Sequence, residues 1–152
     1  MINNWLSDLK INLPLFLKDL RKHNGFTFYP VKKGLTKHGE DVELGMSCYA
    51  IKIFYITNQW TNLEKKEQVD WVNFINSFQS TDKNFPQNSY IDQAYLKEMK
   101  KFSPIKFLKD FVKRILNKYV KSNYTLLDEF LQNSIKAESK QAISSIYQVG
   151  YK

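Results

Sequence analysis

The chain has 152 residues, 25% of them charged, with 23 Lys and Arg against 15 Asp and Glu for a net charge of +8. Hydrophobic residues make up 43% and aromatics 15%, which excludes a disordered chain, and 5 Gly with 4 Pro excludes a collagen-like or linker-like one. A chain this long buries ~70% of its unfolded surface, enough for one core and hence one domain, residues 1–152, or a piece of a larger protein.

Taken in chain order, Asn4 to about Lys22 predicts a helix, with Leu6, Leu9, Leu13, Phe16, Leu17 and Leu20 at helical spacing. Pro14 should break it, as the first turn of a second short helix. His23-Asn24-Gly25 is the expected stop. Gly25 to Leu44 holds Gly25, Pro30, Gly34 and Gly39 without clear periodicity, so an irregular loop, or a small strand pair, is expected there. Gly45 to Asn58 is the most apolar stretch and predicts a helix buried on most sides; a buried strand competes, and length favours the helix.

Thr61 or Asn62 is the expected cap of the next helix, which should end near Gln79 before the polar loop Ser80–Ser89. A shorter helix is predicted from Asp92 to Lys101. Ser103-Pro104 then reads as a cap followed by a first-turn proline, opening a helix to Lys121. Its apolar residues, Ile105, Leu108, Phe111, Val112, Ile115, Leu116 and Tyr119, cover an arc of roughly 140° at about 100° per residue, with lysines on the remainder. Leu126–Ile135 and Ala137–Val149 read as a final helical pair closed by Gly150. The fold class is therefore all-α, as consecutive antiparallel helical hairpins.

The positive charge is local. Lys97 to Lys121 holds nine basic residues against two acids, +7, which leaves +1 for the rest of the chain. Only Arg21 and Arg114 are arginine, the side chain that reads base edges bidentately, so sequence-specific nucleic-acid binding is not expected. Lys106, Lys109, Lys113, Arg114 and Lys121 instead suit an anionic membrane surface or an acidic partner. A packed outer helix with a solvated basic face has the same pattern, and is the favoured reading.

Other chemistry is thinly represented. Cys48 is the lone cysteine, set in the most apolar stretch, where a thiol is ordinarily inert core. No metal-ligand spacing or phosphate-binding glycine loop occurs, and no metal or cofactor is expected. His38, Asp41 and Glu43 share the irregular loop and are the candidates for acid–base work, against the reading of an ordinary solvated loop. Tyr49, Tyr55, Trp60 and Trp71 are candidates to line a pocket for a sugar or isoprenoid, although aromatics at helical spacing are more often core. Without a signal peptide or an apolar stretch of ~20 residues, a cytoplasmic location is expected.

Three blocks carry a resemblance: Gly45-Met46-Ser47-Cys48-Tyr49-Ala50-Ile51-Lys52-Ile53-Phe54-Tyr55, Trp71-Val72-Asn73-Phe74-Ile75-Asn76-Ser77-Phe78-Gln79, and Ser139 to Gly150. This order resembles the helical-hairpin repeats of α/α-toroid proteins, the superfamily of terpenoid cyclases and protein prenyltransferases. The polar turn after Gln79 has Asp82 and Phe85 but lacks the glycine of those repeats, and the Asp-x-Asp-Asp acid cluster of squalene-type cyclases is absent. The resemblance implies an N-terminal part of such a protein, ending at Tyr151-Lys152 as a split or truncated ring, acting on a lipid or glycan and not catalytic alone. A small helical interaction module docking through residues 97–121 is the alternative.

Overall fold

The computed structural model describes residues 4–23 and 25–151. Among these the chain forms seven α-helices and no strand, with two isolated antiparallel bridges, Arg21–Phe28 and Gln79–Tyr90. The class is all-α.

The first helix, α1 (Asn4–Leu20), runs straight through Pro14. The expected break does not occur: residues 5–12 are all exposed, so water can take the Lys10 carbonyl that the proline leaves unpaired. Only the end of α1 docks, through Leu17 and Leu20. After it the chain doubles back, with Lys22 N–H donating to Thr27 O and Tyr29 N–H to Leu20 O. Gly25 adopts φ +88° in this reversal, and Asn24 of the expected stop lies outside the described residues. The segment expected to be irregular also contains α2 (Lys37–Asp41), opened by Thr36, whose hydroxyl accepts from Gly39 N–H.

Helix α3 (Leu44–Ile56) is the central element, burying Leu44, Ser47, Cys48, Ala50 and Ile51. It is followed by a 3-10 turn, Trp60–Asn62, and α4 (Lys65–Asn76). The helix start falls at Glu64 rather than Thr61 or Asn62. Trp60 is buried, and the Gln68 side chain donates to the Trp60 and Leu63 carbonyls, so the turn is spent seating the indole before the helix begins. Helix α5 (Gln93–Lys100) starts at the Asp92 cap, and α6 (Pro104–Tyr119) starts at Ser103 and Pro104 as expected.

The last element is one continuous helix, α7 (Leu127–Gln148), not two. No helix breaker stands between Ile135 and Ala137, and the Ser134 and Ser139 hydroxyls are absorbed by the Phe130 and Ile135 carbonyls one turn back. At 22 residues it is ~33 Å long, and Gly150 at φ +87° ends it.

The most extensive helix pairing joins α3 to α7, far apart in sequence. Small residues let the backbones approach: Ser145 hydroxyl donates to the Cys48 carbonyl at 3.3 Å, and Gln141 Nε2 to the Gly45 carbonyl at 3.1 Å. Trp71 fills the remaining angle among Phe26, Phe28, Phe54 and Trp60, with ring centroids 5.2 to 5.8 Å away. A smaller core of Phe85, Ile91, Leu96 and Ile135 lies beneath α5 and the first half of α7.

Candidate functional site

Helix α6 contradicts the packing expected of it. It buries no residue, and its half-covered side chains are Asp110, Lys113, Leu116 and Asn117. Three of those four are polar. The side turned toward the protein is therefore the hydrophilic one, and the apolar arc faces outward. Ile105 is 67% exposed, Phe111 53% and Tyr119 72%.

Hydrogen bonds explain the inversion. Asp110 Oδ1 accepts from Leu127 N–H at 2.8 Å, and Lys113 Nζ donates to Thr125 O at 3.0 Å. Asn117 pairs twice with Tyr124, donating to its carbonyl at 2.8 Å and accepting from its N–H at 2.9 Å. Arg114 spans Asp110 at 2.8 Å and Asp128 at 3.1 Å. The polar face is thus a ladder that holds the returning chain 122–128. The Leu127 N–H and the Arg114 guanidinium keep the Asp110 carboxyl below its usual range.

Of the five basic candidates, Lys113 and Arg114 are committed to this ladder. Lys106 and Lys109 are exposed and make no ion pair among the described residues, and Lys121 sits in the following turn at φ +55°. At about 100° per residue, Lys109 and Lys118 fall at the two edges of the apolar arc. The Asp110 ladder escaped the sequence reading, because a helical wheel shows which residues share a face and not which face has a partner.

The remaining candidates separate. Asp41 and Glu43 line a polar groove of about 470 Å³ together with Asp82 and Asp92. His38 is not in that wall: its Nε2 pairs with Glu98 Oε2 on α5 at 3.2 Å, so the acid–base trio is not assembled. Glu43 instead pairs with Lys22 at 3.7 Å. Trp60 and Trp71 are core, and the Trp71 indole N–H donates to Ser47 Oγ at 2.8 Å, whereas Tyr49 and Tyr55 are on the surface. The four aromatics share no pocket. Cys48 is fully buried, and burial pushes its thiol up to about 11, which leaves it protonated and unreactive. Among the described residues, no three His, Cys, Asp or Glu side chains gather as a metal site, and no helix is long and apolar enough to cross a membrane.

No family model, curated protein or solved structure matches the chain.

Proposed function

We propose that the chain is a helical module that docks on an anionic membrane surface, with α6 as the docking element. The observation that carries this reading is the orientation of α6: its polar side is bonded to the return chain 122–128, and its apolar arc is left without a partner among the described residues. A helix lying in the interface buries such an arc at the boundary of headgroups and acyl chains, with cations at its margins. Lys109 and Lys118 occupy those margins, where their methylene stems reach along the apolar surface and their ammonium groups stay with the phosphates. Each lysine near an anionic surface contributes about 1 kcal/mol, and the 97–121 stretch carries +7. Phe102, just before the helix, is a further exposed apolar side chain at 78%.

Co-sedimentation with vesicles of phosphatidylcholine alone and of phosphatidylcholine with phosphatidylserine tests this. Binding is expected to the anionic vesicles at low salt, to weaken as salt is raised, and to be lost in Phe111→Ser/Ile115→Ser. No binding to anionic vesicles, or equal binding by the double variant, overturns the reading. So does a stable dimer in solution that the double variant dissociates, since a second copy would then be the occupant of the face.

A further inference from the structure

The two margins of the apolar arc on α6 differ. Beyond Lys118 the next cation round the helix is Arg114, already bonded to Asp110 and Asp128. Beyond the other margin three lysines stand together: at about 100° per residue, Lys109, Lys113 and Lys106 fall in a strip about 60° wide. That strip lies between Leu116, at the edge of the arc, and Asn117, at the edge of the ladder. The three lysines line a recess of about 260 Å³ between α6 and the start of α7, whose apolar walls are Leu126, Leu127 and Phe130. Its polar groups are one-sided. The single acid, Asp110, is already taken, Oδ1 by Leu127 N–H and Oδ2 by Arg114. The Thr125 carbonyl accepts from Lys113 Nζ. Lys106 and Lys109 have no side-chain hydrogen bond or ion pair among the described residues, and an ammonium group can only donate.

We infer that this recess binds the phosphomonoester headgroup of phosphatidic acid and so selects the lipid on which α6 docks; the inference rests on the membrane reading above. The lining selects by charge and by donor–acceptor balance. Its side chains present ammonium donors and, apart from the Thr125 hydroxyl, no free acceptor. Serine, ethanolamine and choline headgroups each carry a cation of their own, which would meet three like charges there. A phosphomonoester has no such cation, and it brings about 1.5 to 2 negative charges at pH 7 and several acceptor oxygens. Lysine suits it as a mobile point charge on a long stem. Position selects a lipid over a soluble ester. The strip adjoins the arc, so burying the arc at the interface sets the recess at the level of the headgroups. Leu127 and Phe130, 41% and 50% exposed, then lie where the glycerol and the first acyl carbons of the same lipid pass.

The test is co-sedimentation of the full chain with two sets of phosphatidylcholine vesicles matched for surface charge by electrophoretic mobility, one charged with phosphatidylserine and the other with phosphatidic acid. The chain is expected to bind the phosphatidic acid set about fivefold or more tightly. Lys106→Gln/Lys109→Gln should bind both sets alike, whereas Lys118→Gln should weaken both and keep the preference. Both lysines of the double variant are exposed, and an unchanged urea midpoint verifies its fold. Equal binding of the parent to the matched sets, or a preference that survives in Lys106→Gln/Lys109→Gln, overturns the inference and leaves docking through α6 standing. Binding to neither set overturns both. Glycerol phosphate that competes as well as the vesicles do, lipid for ester, makes the soluble ester the ligand and overturns the assignment to a lipid.

Discussion

At the scale of single residues, Asp92 does the most for its size. Its Oδ2 accepts from the Glu43 and Leu44 N–H groups at the start of α3, at 2.7 and 3.0 Å. Its Oδ1 accepts from Ala94 and Tyr95 at the start of α5. One buried carboxylate thus caps two helices, and two positive helix ends hold its charge. Asp92→Ala should cost about 2–4 kcal/mol, two caps at about 1–2 each, read by urea denaturation. Asp92→Asn, with one acceptor oxygen instead of two, should fall between; a loss under about 0.5 kcal/mol for Asp92→Ala, the scale of a surface change, refutes the double cap.

Beside it, burial pushes the Glu138 carboxyl up to about 7, assisted by the Asp92 charge and opposed by the Asp92 N–H. The folded state therefore holds a proton that the unfolded chain releases near 4.5. The Glu138 contribution to stability is complete below 4.5, is lost as pH rises to about 7, and is constant above that. Glu138→Gln should flatten this part of the curve and melt higher than the parent above pH 7, as followed by circular dichroism across that window. Parallel melting curves would show that Glu138 does not titrate in it.

At the scale of elements, α6 separates amphipathicity from burial. Its apolar residues contribute little to folding, so Phe111→Ser should change stability by less than about 0.5 kcal/mol, as for other surface substitutions. Asp110→Ala should act oppositely: it removes the acceptor of Leu127 N–H and one partner of Arg114. Hydrogen exchange is expected to quicken at Leu127 and through 122–128, while α3 amides stay protected. Equal protection in that variant would show that the ladder does not hold the return chain. The element boundaries tell a related story. Ser103-Pro104 and Gly150 act locally, and both behave as their residue types predict. Pro14 and the start of α4 do not, because exposure in one case and the seating of Trp60 in the other outweigh local preference.

At the scale of the whole molecule, the fold is organised by α3 lying against α7, with Cys48, Ala142 and Ser145 wholly buried at the contact. Small side chains set that spacing. Ser145→Leu should therefore overpack it and cost about 1–3 kcal/mol or more, measurable as a lowered midpoint in urea with an unchanged slope. A neutral result would mean that the two helices can separate without loss. With that spine on one side, α6 and its basic surroundings stand apart from the main core, since no other helix packs extensively on α6. In the proposed docking on a membrane, this separation lets a single helix engage the surface while the body stays folded.

By itself the sequence determined the all-helical class, the buried character of α3, the inert thiol of Cys48, the start of α6 and the concentration of charge in residues 97–121. Each of these follows from local composition, periodicity or capping chemistry, which act within a few residues. Only the tertiary structure decided that Trp60 and Trp71 are core, that His38 turns to Glu98 and away from Asp41 and Glu43, and that α6 shows its apolar face to the outside. The reason is the same in all three cases. Periodicity defines the faces a helix has, but which face is covered depends on hydrogen bonds and packing from distant segments, here Asp110 to Leu127 and Arg114 to Asp128.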